Sequence, residues 1–205
     1  RFYERKVLTD PSYISPKEFK TGIPDKWEEP IPFGKYELEP FPTDALPEDI
    51  GMKDAVMFLA LKKALDVESR CTFPEDQGKL IIAADTVVYK DGILGKPADR
   101  ADAFFMLNRI KGTSHEVATG VAIIEAGCAN KLVFCDATKV FCKDYTDAEL
   151  NAYLDTDETY DKAGAYGIQG RASKFVSKIV GDYFNVVGLP VCELSRMLKN
   201  FDINI

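Results

Sequence analysis

The clearest hydrophobic pattern in the chain is an apolar, β-branched run from Leu80 to Tyr89, which predicts a strand. Asp91-Gly92 follows it, and this pair is typical of a tight type I′ hairpin turn. We therefore expect the chain to fold back through Ile93 to Lys96, with Val87 opposite Lys96. A single acidic residue, Asp85, interrupts the run.

Asp85 shares one face of this strand with Ile81, Ala83 and Val87, because side chains alternate between the two faces of a strand. The predicted register places Lys96 diagonal to Asp85, roughly 7–8 Å away. One interpretation is a structural ion pair at a sheet edge. The other is a site where a metal-bound polyphosphate offsets the desolvation of both charges.

A helix is predicted from Lys53 to about Arg70, where apolar residues recur at spacings of three and four. Lys63 falls inside this apolar stripe, whereas Lys62 falls beside it. From spacing alone we favour a lysine whose stem covers the edge of the core. The alternative is a lysine that faces a phosphate. The stripe consists of Val56, Leu59, Ala60, Ala64 and Val67.

The remaining pattern alternates strands with helices and predicts a mixed α/β sheet with helices on its faces. In such folds a ligand usually lies in a crevice at the strand ends. Thr146 and Glu149 have capping-box spacing at the start of one helix. The predicted helices are Ala98–Lys111, Asp147–Leu154 and Val186–Phe201, broken near Pro190, and the predicted strands are Val117–Ile124, Leu132–Lys143 and Phe175–Tyr183.

A glycine-rich segment runs from Ala163 to Arg171, with glycine at every third position and Gln169 between the last two. Its spacing matches neither a dinucleotide-binding fingerprint nor a P-loop. The glycines would let the backbone approach a ligand, and the Gln169 amide can donate and accept hydrogen bonds. A plain surface loop is the alternative.

Composition narrows the functional classes. The 205 residues include 46% hydrophobic and 29% charged residues with a net charge of −7, which argues against a basic nucleic-acid or membrane surface. We find no long apolar span or leader and expect a soluble, cytoplasmic protein.

The five cysteines contain no Cys-x-x-Cys, which favours reduced thiols. His115 is the only histidine, and we expect a structural role for it.

Four separated segments together resemble the Maf family of nucleoside triphosphate pyrophosphatases. The segments are AADTVVYKDGILGKP, HEVATGVAII, KAGAYGIQGRAS and GDYFNVVGLPV. The resemblance implies one Maf-like domain over residues 1–205, with an atypical proline-rich region at 1–50 and a recognisable core at 51–205. It also implies two lobes around a central cleft, as in the inosine triphosphatase-like fold, a divalent cation such as Mg²⁺ or Mn²⁺, a nucleoside triphosphate substrate and a homodimer.

The resemblance also implies roles for five residues. Asp85 matches the catalytic carboxylate that acts as proton acceptor, and Lys63 and Lys96 match phosphate-facing lysines. Thr86 and Gln169 match the positions that distinguish the branch acting on dTTP and UTP. A glutamine amide suits the alternating donors and acceptors of a pyrimidine.

One part of the family pattern is missing from this sequence. The family normally begins with a Ser-x-Ser-Pro-Arg-Arg loop that holds phosphates, whereas this sequence contains no Arg-Arg pair, and Ser15-Pro16-Lys17 is its nearest match. A lysine does not reproduce the bidentate contacts of arginine. Either the given sequence begins within the motif, or the phosphate contacts differ.

The main functional expectation is hydrolysis of dTTP and UTP to the monophosphate and pyrophosphate. Two alternatives stay open at this point. One is a pyrophosphatase for modified or methylated guanine nucleotides. The other is a non-catalytic, nucleotide-binding regulator of cell division.

Overall fold

The computed structural model describes residues 50–156 and 158–204. The predicted proline-rich region at 1–50 therefore lies outside the described residues, except for Ile50. Five α-helices and five strands occur within the described range. The helices are α1 (Met52–Glu68), α2 (Arg100–Ile110), α3 (Asp147–Leu154), α4 (Tyr183–Val187) and α5 (Val191–Met197). The strands are β1 (Leu80–Tyr89), β2 (Ile93–Leu94), β3 (Ser114–Glu125), β4 (Lys131–Cys142) and β5 (Val176–Val180).

The five strands form one sheet in the order β2-β1-β3-β4-β5. Neighbouring strands at both ends of the sheet, β1 with β2 and β4 with β5, are antiparallel. The predicted α/β class, a sheet with flanking helices, is confirmed. The described strands form an antiparallel sheet, and the parallel pairing of the predicted mixed sheet is not found among them.

The register of the β1–β2 hairpin differs by one residue from the prediction. Tyr89 pairs with Ile93 and Val88 with Leu94, so the turn contains three residues and not two. Asp91 and Gly92 both have positive φ, 51° and 138°, as the turn chemistry predicted. Because β2 ends at Leu94, the predicted pairing of Val87 with Lys96 is wrong, and Lys96 lies beyond the paired residues.

The chain divides into two compact units, and the division falls between Asp85 and Thr86. Unit 1 contains, among the described residues, 50–85, 120–136 and 191–204, and unit 2 contains 86–119 and 137–190. In unit 1 the buried face of α1 and the C-terminal half of β3 supply much of the core, including Val56, Ala60 and Ile123. In unit 2 the core includes Leu107, Tyr145, Tyr153 and Phe175, and both tyrosine rings pack against the Phe175 ring.

The capping box predicted at α3 is confirmed. The Thr146 hydroxyl accepts from the Glu149 N–H at 3.2 Å, and the Glu149 carboxylate accepts from the Thr146 N–H at 2.8 Å. The final predicted helix is divided into α4, α5 and a 3₁₀ turn from Leu198 to Phe201. The break at Pro190 follows from its missing N–H donor.

The expectations for His115 and the cysteines are also confirmed. All five cysteines lie in the described residues and are free. His115 is 2% exposed, its Nε2 lies 2.6 Å from the Tyr166 hydroxyl, and its Nδ1 lies 3.9 Å from Cys142 Sγ. Burial disfavours the imidazolium and, with the nearby charge of Lys90, lowers the pKa of His115 to about 4. No helix among residues 50–156 and 158–204 is both long and apolar enough to cross a membrane.

Candidate active site

Asp85 and Lys63 form an ion pair within unit 1. Lys63 Nζ on α1 donates to Asp85 Oδ1 on β1 at 2.6 Å and to the Ala84 carbonyl at 3.1 Å. The structure therefore brings together two of the five residues that the family resemblance implied, although they are 22 positions apart in the chain.

A close approach of α1 to β3 sets the position of Lys63. Gly120 on β3 faces the helix so closely that a Cβ there would lie 2.2 Å from the Val56 carbonyl oxygen. The helix presents small residues on its buried side, since Ala60 and Ala64 are both fully buried. Lys63 directly precedes Ala64 in the sequence, so its long side chain begins next to the contact of α1 with β3.

The prediction that Lys63 lies inside the apolar stripe is only partly correct. Its side chain is 54% exposed, while that of Asp85 is 18% exposed. The helix therefore turns the lysine towards the edge of the core, and the ammonium reaches Asp85 in the middle of β1. Its partner is a carboxylate, which explains why the residue does not simply extend into solvent.

Asp85 is the candidate metal ligand in this unit. Its Oδ1 contacts Lys63, and no hydrogen bond to its Oδ2 is recorded among the described residues. Hard cations such as Mg²⁺ prefer oxygen ligands and are often bound by one or two carboxylates plus substrate phosphates. Residues 50–156 and 158–204 contain no group of three or more His, Cys, Asp or Glu side chains that could hold a metal ion. The carboxylate of Asp85 fits a divalent cation that takes its other ligands from a phosphate chain and water.

Thr86, the next residue in β1, belongs to unit 2 and joins a buried polar network. Its Oγ1 lies 2.8 Å from Thr119 Oγ1 on β3. Thr119 donates to the main-chain carbonyl of Asn185 on α4 at 3.0 Å. Thr119 and Asn185 are fully buried, whereas Thr86 is half-buried.

Lys96 lies in an exposed loop that contacts the glycine-rich segment of the same unit. The Gly164 N–H donates to the Gly95 carbonyl at 2.9 Å. A hydrogen bond from Lys162, with smaller contributions that include the charge of Lys96, lowers the pKa of Asp161. The structure thus places Lys96 near a second lysine and an aspartate that the sequence reasoning did not select.

Two of the glycines, at 164 and 167, lie close to other side chains, and Gly164 has a packing role that the sequence reasoning did not predict. A Cβ at Gly164 would lie 3.0 Å from the Val88 side chain on β1, and its φ is 68°. A Cβ at Gly167 would lie 2.9 Å from the stem of Lys162. Gln169 is exposed. Close packing and positive φ are therefore a sufficient reason for Gly164, whereas the flexible stem of Lys162 at Gly167 can move aside.

The five residues implied by the family resemblance fall into two groups. Asp85 and Lys63 form a direct contact in unit 1. Thr86, Lys96 and Gln169 lie in unit 2, where no hydrogen bond or ion pair recorded among the described residues joins them to one another. That Asp85 and Lys96 contact the same ligand stays a prediction.

Sequence reasoning missed Thr119 and Asn185. Thr119 lies in the segment HEVATGVAII and Asn185 in GDYFNVVGLPV, both of which carried the family resemblance. A polar residue within a run of buried positions was the available signal, because such a residue needs a hydrogen-bond partner. Only the fold shows that hydrogen bonds connect both residues to Thr86.

Comparison with known families places these observations in context. A family model described as "Maf-like protein" matches residues 32–201. The match covers most of the chain and includes all five residues for which the resemblance implied roles. The chain belongs to the Maf family.

Proteins similar to this chain carry a common name. The chain is 48% identical over 148 residues to a protein from Alkaliphilus metalliredigens, covering 72% of this chain and 75% of the relative. It is 46% identical over 161 residues to a protein from Acetivibrio thermocellus, covering 77% and 80% respectively. It is 44% identical over 153 residues to a protein from Bacillus anthracis, covering 74% and 76%. All three relatives are named dTTP/UTP pyrophosphatase.

Proposed function

We propose that this protein hydrolyses dTTP and UTP to the nucleoside monophosphate and pyrophosphate. The observation that carries the proposal is its similarity to relatives of that name, 48% identical across 72% of this chain in one case. The paired Asp85 and Lys63 supply a chemical basis for the reaction. The implied substrate is a nucleotide, and the implied enzyme class is a nucleoside triphosphate pyrophosphatase.

Asp85 is the proposed catalytic base. Its carboxylate would accept a proton from the water that attacks the α-phosphorus. The bond between the α-phosphorus and the oxygen that bridges it to the β-phosphorus would then break, and pyrophosphate would leave. Contact of Oδ1 with Lys63 at 2.6 Å holds the carboxylate in one orientation and leaves Oδ2 for water or a cation. A divalent cation, Mg²⁺ or Mn²⁺, would lower the charge of the phosphate oxygens when bound.

Lys63 and Lys96 are the proposed phosphate contacts. The Lys63 side chain is 54% exposed, so its ammonium can contact an incoming phosphate while it remains close to Asp85. Lys96 is exposed on its loop. Positive charge at these positions would stabilise negative charge that develops on the bridging and terminal oxygens. Thr86 and Gln169 would contact the base.

The substitution Asp85→Asn tests the catalytic role. We expect a loss of about 100-fold or more in pyrophosphate release from dTTP, because a positioned general base contributes on the order of 10²–10⁴ in rate. Asp91→Asn is the matched control, since Asp91 lies in the same hairpin and asparagine tolerates its φ of 51°. Circular dichroism checks that both variants are folded. Undiminished turnover in Asp85→Asn would remove Asp85 from the catalytic role.

A substrate panel separates this proposal from its alternatives. Pyrophosphate release should be fastest with dTTP and UTP. Faster release from a methylated guanine nucleotide would favour the other branch of the family. Calorimetric binding of dTTP without pyrophosphate release would favour a nucleotide-binding regulator. The homodimer and the cytoplasmic location stay predictions, and light scattering of the purified protein checks the first.

A further inference from the structure

The glycine-rich segment contains a sharp bend that includes a strained residue. Gly164 and Ala165 have positive φ values in succession, 68° and 63°. Glycine adopts this conformation freely, whereas the Cβ of alanine crowds the backbone there. Ala165 is 0% exposed, so the bend is packed inside unit 2. A residue in such a conformation persists only where the surrounding structure holds it, and such residues cluster at ligand sites.

The residue after the bend is held by a buried hydrogen bond. The hydroxyl of Tyr166 lies 2.6 Å from Nε2 of His115, at the start of β3. The two rings meet edge to face, with centroids 5.3 Å apart and an interplanar angle of 89°. Tyr166 is 6% exposed and His115 is 2% exposed, so water does not compete for the bond. The bond therefore ties the bend to the sheet.

The His115 ring is held on its other side as well. Its Nδ1 lies 3.9 Å from Cys142 Sγ on β4, the strand next to β3. The Lys90 ammonium donates to the Ser114 carbonyl, directly before His115, at 3.0 Å. These contacts orient the imidazole, because a contact at one ring nitrogen sets the direction of the other. Nε2 is therefore directed at Tyr166 by contacts that lie outside the glycine-rich segment.

The segment around Tyr166 carries or contacts two of the residues with proposed roles in nucleotide binding. The Gly164 N–H donates at 2.9 Å to the carbonyl of Gly95, which directly precedes Lys96. Gln169 follows Tyr166 by three residues and is exposed. A change in the bend would therefore displace both the loop of Lys96 and the side chain of Gln169.

We propose that His115 is a positioning residue for nucleotide binding, which acts through Tyr166 to hold the bend of the glycine-rich segment. His115 is buried and does not itself contact the nucleotide. Without the bond, only a fraction of the molecules would have the bend in place, and the apparent affinity falls by that fraction. Bound nucleotide would restore the bend, so the chemical step at saturation is kept. The inference rests on the proposed function in one respect, because it needs a nucleotide at this segment.

Tyr166→Phe is the first test, because it removes only the hydroxyl. The dissociation constant of the α,β-methylene analogue of dTTP, measured by calorimetry at a fixed Mg²⁺ concentration, should rise about tenfold. KM for dTTP should rise in parallel, with kcat within about twofold of the wild type. Tyr145→Phe is the matched control, since Tyr145 is a buried tyrosine of unit 2 whose hydroxyl donates to the Leu107 carbonyl at 2.6 Å. Its affinity should stay within about twofold of the wild type.

Two substitutions of His115 separate the hydrogen bond from general packing. His115→Leu removes the partner of Tyr166 and should weaken binding by about tenfold or more. His115→Gln places an amide near the position of Nε2 and should bind within about threefold of the wild type. The double variant His115→Leu with Tyr166→Phe should bind no more weakly than His115→Leu alone, because both changes remove the same bond.

Hydrogen exchange measures the bend in the free protein, without any nucleotide. Amide exchange in the peptide that covers residues 163–171 should be about tenfold faster in Tyr166→Phe than in the wild type, and unchanged in Tyr145→Phe. Circular dichroism checks that each variant is folded. Unchanged exchange in Tyr166→Phe would overturn the proposal.

The binding and kinetic data allow equally specific contrary outcomes. Equal affinities for Tyr166→Phe and Tyr145→Phe would overturn the proposal, as would a fall in kcat at constant KM or binding by His115→Gln as weak as that by His115→Leu. Binding of the analogue with no pyrophosphate release from dTTP would contradict the proposed hydrolase alone. Release with an unchanged KM in Tyr166→Phe would contradict this inference alone.

Discussion

The ion pair of Asp85 and Lys63 contributes little to the stability of the protein, which is consistent with the proposed chemical role of the pair. The Lys63 side chain is 54% exposed, and ion pairs exposed to solvent contribute about 0–1 kcal/mol. A charge placed in the middle of an apolar strand is costly unless it is paired. The pair therefore holds a partly buried carboxylate at β1 without stabilising the fold greatly.

Replacement of Lys63 should reduce activity much more than stability. We expect Lys63→Met to lower kcat/KM for dTTP by about 100-fold, because a charge that stabilises the developing phosphate charge is lost. The free energy of unfolding should change by less than about 1 kcal/mol. Lys62→Met is the matched control, since Lys62 is the adjacent exposed lysine on α1. Equal activities for the two variants, measured by pyrophosphate release, would contradict a role for Lys63.

His115 should make stability depend on pH between about 4 and 6.5. Its pKa is lowered to about 4 in the folded protein from 6.5, so in this window the unfolded chain binds more protons than the folded one. Stability therefore rises with pH across the window and is lost as the pH falls. The full contribution is roughly 3 kcal/mol, from the size of the pKa shift.

Urea denaturation at several pH values measures this effect. His115→Gln removes the titration, and its unfolding free energy should depend less on pH than that of the wild type. Burial raises the pKa of Glu193, against the opposing charge of Arg196, and this group acts in the other direction. Because Glu193 is common to both proteins, the difference isolates His115. Parallel pH profiles for the two proteins would contradict the prediction.

At the scale of elements, the contact of α1 with β3 positions the candidate base and its lysine. Gly120 and the small residues of α1 allow the helix backbone to approach the strand directly. Helix packing distances depend on the side chains at the contact, and a glycine permits a shorter distance than any other residue. Lys63 reaches Asp85 because its helix lies this close to the sheet.

Gly120→Ala should strongly destabilise the protein. Its Cβ would lie 2.2 Å from the Val56 carbonyl oxygen, and the backbone of α1 would have to move. We expect a loss of about 3 kcal/mol or more in the free energy of unfolding, at the upper end of overpacking effects. Gly95→Ala is the control, because a Cβ at Gly95 meets no atom within 4 Å. Urea denaturation curves compare the two, and similar midpoints would show that α1 has more room than the structure indicates.

The capping box of α3 gives a second test at this scale. Thr146→Ala removes the side-chain acceptor of the Glu149 N–H and should cost about 1 kcal/mol of unfolding free energy. Thr146→Ser keeps an equivalent oxygen and should be close to the wild type. Thermal denaturation measures both. Activity should change little at a temperature where each variant is folded, because the cap belongs to a helix that holds none of the proposed site residues.

At the scale of the whole molecule, a net charge of −7 makes local positive charge necessary for a triphosphate to bind. Lys63 and Lys96, the proposed phosphate contacts, would supply such charge. A divalent cation that enters with the nucleotide would lower the repulsion further. The nucleotide complex should therefore depend on the cation even where the free protein does not.

Removal of divalent cations should abolish stabilisation by substrate. We expect dTTP with Mg²⁺ to raise the thermal midpoint, because a ligand that binds only the folded state stabilises it. With a chelator such as EDTA in excess, dTTP should leave the midpoint nearly unchanged. EDTA alone should not change the midpoint of the free protein. The reason is that Asp85 is the one protein ligand proposed for the cation, and a single carboxylate does not hold a divalent cation tightly. A large decrease in midpoint on addition of EDTA alone would indicate a resident metal.

Local sequence was sufficient to identify most elements. β1 begins and ends where the β-branched run does, and α3 begins at its predicted cap. These features depend on interactions between residues close in sequence, such as propensity, alternation and capping. The family resemblance likewise identified Asp85 and Lys63, and unit 1 brings them together.

Tertiary structure alone decided the hairpin register, the close approach at Gly120, and the network that joins Thr86 to Thr119 and Asn185. The register depends on how β1 and β2 pair, and a change of one residue in the turn moved Lys96 out of the paired strands. The contact of Lys63 with Asp85 depends on two backbones 22 residues apart. The Thr119 hydroxyl, which contacts Thr86, donates to the main-chain carbonyl of Asn185, 66 residues further along the chain. No pattern local to these residues determines which groups meet, because the packing of distant segments places each hydrogen-bond partner.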